Sequence, residues 1–248
     1  MKTMHTLKIL FSAILFAVPV FVVGSTAALA SEKLHLDLAP DVSGDKAALQ
    51  NGARLFVNYC LSCHGASALR YNRLQELGLT EAQILENLMF TTDKIGDPMT
   101  VAMTPADAKK WFGVAPPDLS LAARARASAD GSGSDWLYTY LRSFYRDETR
   151  PTGWNNVVFA NVGMPHILFD LQGEQTLGAD GKLQPAASGT LSAADYDKQV
   201  ADLVGFLTWM SEPQAKFRER LGAGVLIFLV LLFGFAYALK KEYWKDVH

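Results

Sequence analysis

The chain has 248 residues, half of them hydrophobic, enough to bury a sizeable core in one or two domains. A formal charge of −2 with no basic run argues against nucleic acid as a partner.

Residues 1–30 have the three parts of an export signal: Lys2 and Lys8, a largely apolar stretch from Ile9 to Val23, and the small-x-small pattern Ala28-Leu29-Ala30. Cleavage after Ala30 is expected, with an uncleaved anchor as the rival reading. Cleavage removes two lysines and no acids, lowering the formal charge from −2 to −4. It also places the mature domain outside the cytoplasm.

Residues 31–45 read as an extended leader broken by Pro40 and Gly44. From Lys46 the pattern turns helical, with Leu49, Ala53, Phe56, Val57 and Cys60 at i, i+4, i+7, i+8 and i+11. Gly52 on this helix is tolerable where another backbone packs close. Thr80 with Gln83 predicts a capping box, Thr104-Pro105 a helix start, and Ser134 the entry to a helix carrying Trp136, Leu137, Tyr140, Leu141 and Phe144. Ser192 with Asp195 predicts a last cap, before Tyr196, Val200, Leu203, Val204 and Leu207. The segments 115–121, 149–166 and 172–189 read as long and irregular, the last as a solvated loop or at most a hairpin. The helix from Lys46 to Cys60 is expected to cross the helix from Ala193 to Met210, with Gly52 and Gly205 at the closest approach.

Leu221 to Leu239 carries no charge and, as a helix, would extend ~28 Å, enough to cross a hydrocarbon core. Lys240, Lys241, Tyr243 and Trp244 then give an interfacial ending. Basic residues flank the run equally, so the export signal sets orientation, with residues 240–248 left in the cytoplasm.

Cys60 and Cys63 are the two cysteines, in the motif Cys60-Leu61-Ser62-Cys63-His64. In an exported chain a disulfide is the ordinary expectation, and a zinc site is another. The adjacent histidine points elsewhere. Two thiols at this spacing reach both vinyl groups of a haem, and the imidazole next to them approaches the iron from the same side, which is the c-type attachment pattern. The motif occurs once, so one covalently bound haem c is expected, with His64 as one axial ligand. For the other, the candidates are His35, His166, His248 and methionines 89, 99, 103, 164 and 210. His248 falls on the cytoplasmic side, and Met89 and Met210 lie on apolar helix faces where methionine fills cores. Met99 and Met103 flank a loop. Met164 stands between a flexible Gly163 and a rigid Pro165; the residues favour it over nearby His166 without deciding between them. Methionine ligation would raise the potential relative to bis-histidine ligation.

Several blocks carry a wider resemblance. Gly52-Ala53-Arg54-Leu55-Phe56 through His64 and Leu69-Arg70-Tyr71-Asn72-Arg73-Leu74, then Ala115-Pro116-Pro117-Asp118-Leu119-Ser120 with Arg124-Ala125-Arg126, Gly163-Met164, and Phe206-Leu207-Thr208-Trp209 with Glu212-Pro213 together resemble the cytochrome c1 family of proteobacterial type. The resemblance covers nearly the whole mature chain, although Met164-Pro165-His166 departs from the family's usual Met-Ala-Pro-Pro. It implies an all-α c-type cytochrome domain over 31–220, elaborated by long loops and followed by one transmembrane helix at 221–239. It implies Met164 as the second axial ligand, Pro116 and Pro117 packed on the haem, Arg126 paired with a propionate, and Trp136 lining the pocket. It further implies membership of the bc1 complex beside cytochrome b and the Rieske iron–sulfur protein, in the bacterial cytoplasmic membrane. Electrons would pass from the Rieske protein to a soluble or tethered periplasmic cytochrome c, with ligation, tuning and docking rather than independent bond-breaking chemistry. The rival classes are a cytochrome subunit of a terminal oxidase or periplasmic dehydrogenase, and a haem peroxidase or gas sensor with an open sixth position.

Overall fold

The computed structural model describes residues 34–246; the expected export signal over 1–30 and His248 lie outside the described residues. Helix α1 (Lys46–Leu55) starts where the Asp45 carboxylate accepts from the Ala47 and Ala48 amides. The apolar periodicity continues to Cys60, but Phe56–Cys60 winds as a π-turn, with the Leu61 amide donating to the Phe56 carbonyl at 2.9 Å. The wider turn keeps Phe56, Val57 and Cys60 buried.

Strand β1 (Ala66–Arg70) pairs antiparallel with β2 (Pro98–Met99), and a 3₁₀ segment Tyr71–Leu77 and helix α2 (Glu81–Asn87) lie between them. The Thr80–Gln83 capping box at α2 is formed in both directions. Helix α3 (Pro105–Phe112) follows Thr104 as expected, and α4 (Ala122–Ala125) is one short turn. Helix α5 (Gly133–Arg142) is capped by Ser132, not Ser134, because Ser132 has Asp135 at the third helical position to complete a reciprocal box.

Strands β3 (Phe144–Arg146) and β4 (Trp154–Asn156) form a second antiparallel pair, and β5 (Gly173–Leu177) with β6 (Leu183–Ser188) a third. The expectation of an all-α domain is therefore corrected. About half of the described chain is helical, with two-stranded pairings in the long connections. These strands are too short to show an alternating apolar pattern, and β6 is exposed along most of its length. The 172–189 segment is a hairpin that follows the short helix α6 (Phe169–Gln172). Gly173, at φ 91°, opens it; a side chain there would collide with Ser188 and Gly189 backbone. The Gln175 side-chain amide ties the hairpin to the Arg142 and Phe144 carbonyls at 3.0 Å.

Helix α7 (Ala193–Ser211), capped by Ser192, crosses α1 and closes the core. Phe56 and Phe206 meet with ring centroids 5.7 Å apart. A Cβ on Gly52 would stand 2.7 Å from Phe206 Cβ and 2.8 Å from the Asp202 carbonyl carbon, so α1 needs glycine there. Gly205 serves a different contact: a Cβ on it would meet the Val42 side chain of the leader, not the α1 backbone. Helix α8 (Ala215–Tyr243) contains the expected apolar run and extends beyond it at both ends. Its best 18-residue window has a mean hydropathy of 2.4, and none of its residues is buried within the chain. That length and composition are those of a membrane span.

Candidate haem site

The π-turn delivers Cys60 into the core and leaves Cys63 and His64 at its edge. Both thiols are free. Burial, with a smaller contribution from Cys63, pushes the Cys60 thiol up to about 12, so it stays protonated rather than acting as a thiolate. The His64 and Cys63 amides both turn back onto the Cys60 carbonyl, at 2.8 and 3.0 Å, holding the motif in a compact turn.

The Ala115–Ser120 segment runs alongside this turn and is bonded to it residue by residue. The Leu119 amide donates to the Gly65 carbonyl at 2.8 Å, the Ser67 amide to Asp118 Oδ2 at 2.8 Å, and the Ala68 amide to Ser120 Oγ at 3.0 Å. Hydrogen bonds from Ser120 and Ser67 outweigh partial burial and hold the Asp118 carboxyl below the usual range. This zipper fixes Pro117, whose carbonyl accepts from His64 Nδ1 at 2.7 Å. That bond commits the proton to Nδ1 and leaves the Nε2 lone pair for a metal. Burial lowers the imidazole's proton affinity against the opposing effects of the Pro117 carbonyl and Asp118, which favours the neutral ring. A cleft of about 320 Å³ opens beside it, lined by Cys63, Met103, Ala115, Pro116 and Asp118 among others.

A second array lies on α5 and the 149–166 connection. Met164 Sδ accepts a hydrogen bond from the Tyr140 hydroxyl at 3.4 Å. Tyr140 stacks on Trp136, centroids 4.8 Å apart, and the Arg126 guanidinium sits over Trp136 at 4.2 Å and near Phe159 at 5.5 Å. Among the described residues no carboxylate pairs with Arg126, which leaves its guanidinium free for an anionic group. A Cβ on Gly163 would touch Val114 at 3.6 Å, which brings the Met164 segment against the residues leading into Pro116 and Pro117.

The donor set fits a haem better than a bare ion. Among the described residues no group of three or more His, Cys, Asp or Glu side chains is gathered to hold one. The rival axial candidates are placed elsewhere: Met89, Met99 and Met210 are buried in the core, and His35 is exposed beside Asp37. His166 is buried face to face with Phe144 at 4.9 Å and edge-on to Trp154 at 5.0 Å. Met103, by contrast, does reach the cleft wall.

The model for the Cytochrome C1 family matches residues 40–247. The chain belongs to the cytochrome c1 family. It is 46% identical over 253 residues to cytochrome c1 of Allochromatium vinosum, covering 97% of this chain and 99% of that one. It is 31% identical over 242 residues to cytochrome c1 of Rhodospirillum rubrum, at 82% and 83% coverage. It is also 47% identical over 246 residues to a protein of Nitrosomonas europaea named ammonia monooxygenase gamma subunit, at 99% and 100% coverage. Membership makes this a haem protein of respiratory electron transport, of the bc1 type.

Several residues that shape the candidate site were not evident from sequence. Asn156, fully buried, accepts from the Val158 and Phe159 amides through Oδ1 and donates to the Tyr140 carbonyl at 2.8 Å. Asn155 Oδ1 takes the Asn161 amide at 2.8 Å, and Arg150 clamps Asn161, which adopts a positive φ of 60° just before Val162-Gly163-Met164. The only advance signal was the Trp154-Asn155-Asn156 cluster itself, in a stretch read as irregular.

Proposed function

We propose that the chain carries one haem c, bound through thioethers to Cys60 and Cys63 and ligated by His64 and Met164, and relays single electrons within a bc1 complex. When bound, the haem would supply a reversible one-electron iron couple, and ligation by His64 and Met164 would set its potential high. The chain's own residues do the rest. The Pro117 carbonyl orients the His64 ring, Pro116 and Pro117 wall one side with fixed backbone, and Arg126 with Trp136 receives the propionate edge. Tyr140 and the asparagine-braced loop present Met164 from the second array.

The electron donor in this reading is the Rieske iron–sulfur protein, the acceptor is a soluble or tethered cytochrome c, and cytochrome b is the membrane neighbour. Residues 1–30 are removed on export, residues 31–220 work in the periplasm, α8 anchors them in the cytoplasmic membrane, and residues 240–248 face the cytoplasm. The mature charge of −4 suits a basic acceptor. The observation that carries the proposal is the Nδ1 bond of His64 to Pro117, which leaves Nε2 free on a histidine that directly follows two free cysteines in a chain of this family.

Purification of the native membrane complex tests it. Co-purifying b haems and a Rieske cluster, with quinol-dependent reduction of an added cytochrome c, is the expected result. A second reading is favoured by the Nitrosomonas europaea relative, whose name assigns it to an ammonia monooxygenase. Recovery of the chain with a monooxygenase and without b haems or a Rieske cluster would establish that reading instead.

A further inference from the structure

We infer that the Tyr140 hydroxyl is a positioning residue for the haem couple, acting through Met164 to raise the reduction potential; this rests on the reading of Met164 as the axial ligand. The hydroxyl donates to Met164 Sδ at 3.4 Å, within the range of a sulfur hydrogen bond. Tyr140 is buried, and its ring is held on two sides: Trp136 stacks on it at 4.8 Å, and Phe144 meets it edge-on at 5.0 Å. Its carbonyl is fixed by Asn156, so neither backbone nor ring can swing away from the sulfur. The same bracing that holds the loop carrying Met164 therefore also fixes the donor to that sulfur.

The direction follows from charge. A hydrogen bond to a thioether draws density from the sulfur lone pairs, leaving a weaker donor to iron. Oxidised iron depends on that donation more than reduced iron does. The hydroxyl dipole also points its positive end toward the metal side, which opposes the additional positive charge of the oxidised state. Both effects favour the reduced form. Only the difference in this bond's strength between the two oxidation states enters, and a single hydrogen bond is modest, so losing it should change the electron-exchange equilibrium about 2- to 10-fold. That corresponds to a fall of about 20–60 mV for a one-electron couple at 59 mV per tenfold.

The test is an equilibrium redox titration of the haem in the full chain, in its native complex, for the wild type, Tyr140→Phe and Met164→Leu. Phe keeps the stacked ring and removes only the hydroxyl. The expected result is a lower potential in Tyr140→Phe, with haem attachment and the weak red absorption band of Met-ligated oxidised haem retained. An unchanged potential with the band present would overturn the inference and leave Met164 ligation standing. Failure of Tyr140→Phe to assemble with haem would also overturn it, making the hydroxyl a folding determinant instead. If Met164→Leu keeps both band and potential, the ligand reading itself fails, an outcome distinct from either.

Discussion

Replacing Gly52 with alanine probes the crossing that supports the haem motif. In an exposed helix the change would stabilise by about 1 kcal/mol, since glycine is a poor helix former. Here the new methyl would stand 2.7 Å from Phe206 Cβ and 2.8 Å from the Asp202 carbonyl carbon, closest of all to the carbonyl oxygen. Ordinary contact begins near 3.4 Å, so α1 and α7 must separate by more than an ångström to clear that oxygen. The atom in the way is backbone and cannot rotate aside. Overpacking of this kind costs about 1–3 kcal/mol and sometimes more, and the separation also loosens the Phe56–Phe206 contact. A net destabilisation of about 1–3 kcal/mol is expected after the helical gain, which for a domain of this size lowers Tm by about 3–10 °C. Thermal unfolding of the detergent-solubilised, haem-loaded chain, followed by far-UV circular dichroism, measures it. Gly205→Ala is the control, because its methyl meets a movable Val42 side chain, and its loss of Tm should be smaller. A Gly52→Ala chain as stable as wild type, or more so, would refute the close-backbone account.

Other outcomes can be checked with the same preparation. Asn156→Ala strips buried partners from the Val158 and Phe159 amides and the Tyr140 carbonyl; a cost of about 3 kcal/mol or more is expected in chemical denaturation. Faster amide exchange should then be confined first to the 149–166 connection. Asp135, partly buried, is nonetheless held below the usual carboxylate range by hydrogen bonds from Ser132 and the Ala39 amide. A carboxylate with a depressed folded pKa contributes stability above its unfolded pKa, of about 3.9, and loses it as pH falls through the folded value. Asp135→Asn should therefore flatten the fall of Tm with pH between about pH 5 and 2, and an unaltered slope would show that the carboxylate is not linked to folding.

What could be read from the sequence was local. Caps at Thr80, Thr104 and Ser192 were legible because donor and acceptor lie within three residues, α1 and α7 because apolar residues repeat with the helical period, and the run within α8 because it is apolar and uncharged throughout. The Ser132 cap was misplaced by two residues because the apolar pattern begins only at Trp136, whereas the box is set by Asp135. The pairs β1–β2 and β3–β4 were not anticipated, and β5–β6 only as at most a hairpin, for a different reason. Stretches of two to six residues are too short to show a period, whether buried throughout like Trp154–Asn156 or largely exposed like Leu183–Ser188. The site divides in the same way. Cys60, Cys63 and His64 form one contiguous motif, while the Pro117 bond spans 53 residues and the Tyr140–Met164 contact 24. The first exists only once the Ala115–Ser120 segment is bonded to Gly65–Ala68, and the second only once α5 and Asn156 are folded against each other, and no spacing rule anticipates either.

The central claim, that Cys60 and Cys63 carry a covalent haem, is tested most directly by mass spectrometry of the denatured chain isolated from membranes. The account predicts that one haem remains attached after denaturation and maps to the peptide containing Cys60–His64, and that it is lost from a Cys60→Ala, Cys63→Ala double variant. A haem-free chain with Cys60 and Cys63 joined in a disulfide, or a haem released on denaturation, would contradict it.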